Sequence, residues 1–521
     1  MGKKHPVPKH LAHATHKYMR RQISRRTFLK YTGAAGLTMP MLNALIRYAA
    51  AQDEESSSAV AERVAAEKYA GETLNVTWES GLQAQDPKLF SGPLGTERTG
   101  VNINVIEIDG GTPLFSRQLT EHLGASGAFD VLQVQPSWMA DYVFAGVMEP
   151  LDAFVEQYMN PADLEDYTPL YKDLGIFDGV RYGLFDDGDT LILYYRTDLF
   201  EEHAQEFADA LGYELAPPEN WKQFDEIARF FTEKLGPDVH GAGFGRAPGA
   251  FWNAAMFIPH FKANGGRFFD EESMDALING PEGVRTVSEM NHSNQYMPAG
   301  ITQLTAVDTF QQWLAGAYAM TWFWPPLGRW SAGYGAEREE LAFVPESQVV
   351  GKTGYALFPG HISQMSGGFN LAVSADSPRK ELAYLFIQWL NSPEISLQRV
   401  TLPYALRDPF RISHFESQEY ASLWDDAPEY LATLLEAGEN ASLDINIPGG
   451  QEYSDAIDRA CSAVYAGTDP QEAMDTAASE FNAITDRLGR EQQAQAYAAY
   501  LQLPGAYPSA NLVDAPSNLD M

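Results

Sequence analysis

Cys461 is the only cysteine in 521 residues. That scarcity excludes disulfides, iron–sulfur clusters and cysteine-rich zinc sites. Basic residues are also few: 36 Lys and Arg stand against 70 Asp and Glu, a formal net charge of −34. A surface of that sign disfavours nucleic acid and anionic membranes. It suits solubility in high salt, where self-repulsion is screened. The common catalytic spacings are missing as well. The eleven histidines form no HExxH or other metal spacing, and no G-x-S-x-G elbow occurs. The glycine-rich stretch Gly241–Gly249 lacks the Lys-Ser/Thr of a phosphate loop and reads as a strand and turn approaching a cleft. Asp186-Asp187-Gly188-Asp189 lacks EF-hand spacing, which favours a polar hinge turn over a calcium loop. Neither a metal nor a cofactor is implied, and no internal repeat is present.

What basic charge there is gathers at one end. Residues 1–51 carry ten Lys and Arg and no Asp or Glu. Within them Ser24-Arg25-Arg26-Thr27-Phe28-Leu29-Lys30 matches the twin-arginine export signal, and Ala49-Ala50-Ala51 offers a small-residue cleavage site. The apolar stretch between is broken by Pro40, Asn43 and Arg47, short of the ~20 strongly apolar residues a lasting anchor needs. The expectation is a signal peptide over 1–51, a mature start near Gln52, and a protein exported folded to a periplasmic or extracellular place. Losing those ten positive charges takes the net charge from −34 to −44.

The remaining chain exceeds what one hydrophobic core usually serves, so two domains are expected. With 45% hydrophobic and 12% aromatic residues it reads as globular. Residues 52–71 read as an acidic linker running into a short helix, and 501–521 as a flexible tail. Alternation predicts strands at Leu74–Trp78, Val101–Ile106 and Phe129–Val134, with a helix over Pro113–Leu123 between the last two. Thr190–Tyr195 is an apolar run of buried-strand type, and Ala317–Thr321 a short one. Amphipathic helices are predicted at Trp221–Lys234, Lys380–Leu390, Tyr453–Ala466 and Pro470–Leu488. Strand–helix–strand alternation implies α/β layers with mostly parallel sheets.

In open α/β sheets ligands sit beyond the carboxyl ends of strands. Trp78-Glu79 ends one predicted strand and Gln135-Pro136-Ser137-Trp138 another. AYAMTWFWPPLGRW, residues 317–330, crowds Trp322 and Trp324 against two prolines that end a third. An indole stacks on the C–H face of a sugar ring, while carboxylates, amides and Arg bind its hydroxyls. Singly, each of these tryptophans is better explained by core packing; their repetition at strand ends favours a carbohydrate cleft. A secreted carbohydrate-active hydrolase, with paired carboxylates across such a cleft, is the alternative.

Six segments, in order, resemble the family 1 extracellular solute-binding proteins of ABC importers, the maltose/oligosaccharide type. TGVNINVIEID and GAFDVLQVQPSWMADYVFAGVMEPLDAFV look like that family's first lobe. VRYGLFDDGDTLILYYRTDLFEE is similar to its first crossing between lobes, and PPENWKQFDEIARFFTEK to a helix of the second lobe. FQQWLAGAYAMTWFWPP, GGFNLAVSADSPRKELAYLFIQWLNSPE and INIPGGQEYSDAIDRACSAVYAGTDPQEAMDTAASEFNAI follow with similar agreement.

The resemblance implies a two-lobed, type II-like periplasmic-binding-protein fold. Lobe 1 would be 72–185 plus 362–410 and lobe 2 186–361 plus 411–500, with hinges near Phe185–Gly188 and Phe358–Gly360. It implies a monomeric binder, not an enzyme, that takes a sugar or oligosaccharide and hands it to permease subunits driven by a cytoplasmic ATPase. The twin-arginine translocase would be its export partner. Ligand contacts are expected from Trp78, Glu79, Gln135, Trp138, Asp186, Asp187, Trp252, Trp322, Trp324, Gly367, Gly368, Tyr404 and Arg407. Trp322 or Trp324 is expected to be the stacking platform, with the other packed behind it.

Overall fold

The computed structural model describes residues 55–249, 252–508 and 510–521; the predicted export signal lies outside them. Two sheets organise the rest. The first runs Asn102–Ile108, Thr73–Glu79, Val131–Val134, Asn370–Val373, Gly183–Phe185. Thr73–Glu79 pairs in parallel with Asn102–Ile108, from Thr73 opposite Asn102 to Glu79 opposite Ile108. Asn370–Val373 is antiparallel to both of its neighbours. The second runs Ala441–Leu443, Ser363–Met365, Thr190–Arg196, Tyr318–Phe323, His240–Ala242, with Thr353–Ala356 also pairing with Thr190–Arg196. Helices cover the sheets, so central strands such as Tyr318–Phe323 are buried at every residue and read as largely apolar runs.

Local sequence sets the helix ends. Asn220 caps Trp221–Leu235 by accepting from Gln223 N, and Asp469 caps Pro470–Leu488 by accepting from Gln471 N and Glu472 N. Trp221, Phe224, Ile227, Ala228 and Phe231 make the buried stripe of the first of these, at three- and four-residue spacing.

The chain crosses from first sheet to second at 186–189, between Gly183–Phe185 and Thr190–Arg196. It returns at 366–369, between Ser363–Met365 and Asn370–Val373. The second crossing corrects the sequence reading. Residues 363–365 belong to the second sheet, where Gln364 and Met365 pair with Leu191 and Thr190. Phe358 is no hinge: it is buried against Trp322, ring centroids 5.2 Å apart.

Both supposedly loose ends are packed. Within 52–71, Ser57–Tyr69 is a helix that buries Ala61, Val64 and Ala65. Gln388 Nε2 donates to Ser57 O (2.8 Å) and Trp389 Nε1 to Glu62 (2.8 Å), which fixes that helix to the helix Lys380–Leu390. The tail is tied to the second lobe. Leu512 is buried and donates to Ala263 O, Arg285 donates to Ala515 O (3.0 Å), and Ser517 to Glu289 (2.7 Å). Polar composition concealed these contacts, because the tail is held mainly by hydrogen bonds rather than by an apolar stripe.

Candidate functional site

Strand direction puts the site where the lobes meet. Tyr318–Phe323 and Ser363–Met365 are both antiparallel to Thr190–Arg196, so their carboxyl ends lie beside Thr190, where the chain arrives from the first sheet. His240–Ala242 and Ala441–Leu443 run parallel to those two strands and end on the same side. Four carboxyl ends therefore face the first lobe, the usual place for a ligand in an open α/β sheet.

Trp324 follows the last residue of its strand and is half-buried. Its Nε1 donates to Ser366 O (2.8 Å), and its ring lies 4.7 Å from that of Trp252. Ser366 Oγ donates in turn to Asp444 (2.8 Å), which also accepts from Gln364 Nε2 (2.7 Å). Asp189 accepts from Gly368 N (2.8 Å). A Cβ on Gly367 would come 3.0 Å from Asp189 Oδ2 and 3.8 Å from Trp324 Nε1. Gly367 and Gly368 have φ of +90° and +65°, a region glycine enters without strain. An indole and two carboxylates thus converge on the turn Ser366–Gly368.

Neither carboxylate is in an ion pair among the described residues. Burial raises the pKa of Asp444 to about 6, and burial with the charges of Asp187 and Asp408 raises that of Asp189. Both are strong acceptors when ionised, suited to hydroxyl or ammonium donors. The sequence reading missed Asp444, which follows a strand of only three residues. Asp189 lay inside the Asp186–Asp189 turn but was not singled out.

The first lobe offers its own strand ends. Glu79 is half-buried, with its backbone N–H held by Gln133 Oε1 (2.7 Å); burial raises its carboxyl pKa, opposed by the positive charge of Arg407. Gln135 is half-buried at the start of the turn Pro136–Trp138. Trp138 is buried against Phe115 (5.6 Å) and Tyr142 (6.4 Å).

Several expected contacts are engaged elsewhere. Trp322 is 1% exposed and stacks on Phe244 with centroids 3.5 Å apart, inside the second lobe's core. It lies within the paired strand, opposite Leu193, whereas Trp324 has left it. Trp322 is thus the packed ring and not the platform. Trp78 is fully buried inside its strand with the Arg407 guanidinium 5.5 Å from its ring. Trp252 is buried at the head of the helix Trp252–Ala263. Tyr404 is buried, its ring 5.0 Å from the Arg338 guanidinium.

Asp186, Asp187 and Arg407 bind one another. Arg399 meets Asp86 and Asp186 at 2.5 Å each; Arg407 meets Asp186 (3.1 Å) and Asp187 (3.0 Å). Arg329 meets Asp408 at 3.1 Å. These groups brace the crossing, because a buried charge is tolerated where an opposite charge and hydrogen bonds meet it. One carboxylate oxygen each from Asp187, Asp189 and Asp408 lies within 4.8 Å of the others. Burial raises all three pKa values, and Arg407 and Arg329 oppose the rise at Asp187 and Asp408 respectively.

The profile of the family described as bacterial extracellular solute-binding protein matches residues 65–396. The chain belongs to that family. This solute-binding protein is 23% identical to a probable amino-acid ABC transporter periplasmic-binding protein of Sinorhizobium fredii, over 79% of its own length and 87% of the relative's. It is 24% identical to a mannitol-binding protein of Pseudomonas aeruginosa, over 54% of its length and 60% of that chain. A solved solute-binding protein of an ABC transporter from Agrobacterium radiobacter K84, in complex with ribitol, superposes with a TM-score of 0.64 at 22% identity, covering 80% of this chain and 99% of that one. Maltose-bound MalE3 of T. maritima gives 0.63 at 21%, covering 80% and 100%. The two-lobed fold is thus shared with these solved structures. Membership of an extracellular binding family puts this protein's work outside the cytoplasm and leaves the hydrolase alternative without support. Among the described residues, no helix is long and apolar enough to cross a membrane.

Proposed function

We propose that this protein is the extracytoplasmic receptor of an ABC importer for a sugar or polyol, captured between the lobes and released unaltered to a membrane permease. The observation that carries this reading is the half-buried indole of Trp324 beside the carboxylates Asp189 and Asp444, which are in no ion pair among the described residues, at the turn where the second sheet meets the first lobe. The ring offers a stacking face and the carboxylates accept hydroxyl protons. A mannitol-binding relative and the solved structures in complex with ribitol and with maltose support the class of solute.

Solute drives closure only through contacts made in the closed form and absent from the open one. Groups contributed by both lobes supply such contacts, and the crossings at 186–189 and 366–369 would be the hinges. The closed monomer would then be recognised by permease subunits powered by a cytoplasmic ATPase. Export through the twin-arginine translocase follows from Arg25 and Arg26; lysine at both should leave the chain in the cytoplasm, and normal export would sink that part.

A thermal-shift screen over polyols, neutral sugars and sugar acids tests the main reading, since a solute at 100 times its Kd stabilises by about 2.7 kcal/mol. Small-angle scattering with the best solute should show a smaller radius of gyration. No shift from any member, or solute recovered chemically changed, would overturn the proposal.

A further inference from the structure

Five arginines are less than 2% exposed: Arg246, Arg329, Arg399, Arg407 and Arg411. Four have carboxylates; besides those already described, Arg411 meets Asp166 at 3.5 Å. Arg246 forms no ion pair among the described residues. Its Nε donates to Asn294 Oδ1 (3.2 Å), but its Nη1 is buried without a hydrogen-bond partner. The guanidinium lies between rings, with Cζ 4.4 Å from the centroid of Phe244 and 5.5 Å from that of Tyr465. Asp225, the carboxylate that attracts it, is already occupied by His292 Nδ1 (2.7 Å), Ser293 Oγ (2.6 Å) and Asn518 Nδ2 (2.7 Å). Burial lowers the pKa of Arg246, yet a guanidinium stays protonated at any ordinary pH. A lone buried cation is costly, so a fold that keeps one with neither a counter-charge nor an acceptor for its Nη1 points to a partner from outside.

Its place in the fold suggests which partner. Arg246 lies just beyond the carboxyl end of His240–Ala242, on the side where the second sheet faces the first lobe. Arg246 O accepts from Asn253 Nδ2 (3.3 Å), and Asn253 follows Trp252, whose ring meets that of Trp324. The backbone that carries Arg246 is therefore tied to the aromatic end of the cleft, while the guanidinium packs on Phe244 and Tyr465. One guanidinium matches one negative charge. A phosphate dianion would need further donors.

Building on the cleft proposed above, we propose that Arg246 is an anion-receiving subsite and that the solute carries a carboxylate, as a sugar acid does, in addition to hydroxyl groups. Asp189 and Asp444 would take its hydroxyls while Arg246 takes its charge. The site would then select an acid over the corresponding neutral sugar or polyol.

The test uses the full mature protein and two matched pairs, glucuronate with glucose and gluconate with glucitol, by thermal shift and calorimetry at constant ionic strength. Wild type should bind the acid at least tenfold more tightly than its neutral partner. In R246Q that preference should fall below threefold. Unliganded R246M supplies a second readout: losing an uncompensated charge should leave its Tm unchanged or raised. A Tm lowered as far as that of R399M would make Arg246 structural and overturn the inference.

Neutral members binding as well as acids, with no effect of R246Q, would overturn the inference while leaving the receptor reading intact. Chloride alone stabilising wild type but not R246M, with no acid doing so, would mean an inorganic ion and would also overturn it. If no member of either kind binds, the receptor reading fails separately, and the Tm of R246M decides the subsite.

Discussion

At the crossing between the lobes, Arg329, Arg399 and Arg407 are each met by carboxylates; at the carboxyl ends of the second sheet, Asp444 and Arg246 are in no ion pair among the described residues. Both regions are buried, so depth alone does not separate them. Paired charges join segments far apart in sequence, as Arg399 joins Asp86 to Asp186, and act as struts. Unpaired Asp444 lies with Trp324 at the Ser366–Gly368 turn, where an incoming molecule can complete it. The lesson is that buried charge marks a site by what it lacks, and that an ion-paired cluster such as Asp186–Asp187–Arg407 is weak evidence of binding however well it sits at a hinge.

The largest effect should come from breaking the strut. R399M leaves Asp86 and Asp186 to share Arg407 as their cation, and we expect about 3–5 kcal/mol of lost stability by denaturant unfolding. A loss below about 1 kcal/mol would show that the crossing does not depend on the pair.

The two tryptophans should then separate stability from binding. W322A empties a core position stacked on Phe244 and should cost about 3–5 kcal/mol of stability. W324A should weaken solute binding by roughly 1 kcal/mol or more while stability changes little. The reverse pattern in calorimetry and unfolding would exchange their roles.

Lys262 tests an unpaired charge that no ligand is asked to meet. It is 1% exposed, donates to Leu443 O (2.6 Å) and Tyr500 Oη (2.9 Å), and burial pushes its pKa down to about 7. Between that value and the ordinary 10.5 the unfolded chain binds the extra proton, so stability should rise with pH across that window. Below about 7 the penalty is complete and should amount to a few kcal/mol. K262M should flatten the slope of Tm against pH between 7 and 10; an unchanged slope would assign it to other groups.

The smallest effect should lie at the rim. Asp141 of the first lobe accepts from Gly449 N at 3.2 Å with both oxygens, at the start of the helix Gly450–Tyr465 in the second. D141N removes a charge from a helix amino end, worth about 0.3–1 kcal/mol, and should lower affinity by no more than fivefold. A larger loss would make this contact central to closure.

Much of this architecture was legible before any coordinates. Alternation located the strands at Thr73–Glu79 and Asn102–Ile108 to within two residues, and the helix Pro470–Leu488 matched in full, because period and caps are local. Strand-end reasoning picked out Trp322 and Trp324, and the structure puts Trp324 just past the strand's last residue. That reasoning could not rank Trp324 against Trp322, since pairing with Leu193 is not written in either residue's neighbours. The isolation of Arg246 was equally hidden. It depends on Asp225 being taken by Asn518, 293 positions away. Likewise, the polar segments 52–71 and 501–521 looked loose because composition does not reveal hydrogen bonds to distant partners.

That distance has a consequence for synthesis. Asn370–Val373 lies inside the first sheet, between Val131–Val134 and Gly183–Phe185, so that sheet stays split until nearly three quarters of the chain has been made. Asn518, three residues from the end, supplies a hydrogen bond that Asp225 has lacked since it left the ribosome. Each lobe is therefore discontinuous in time as well as in sequence. A nascent chain that has not yet delivered Asn518 has an unfinished second lobe.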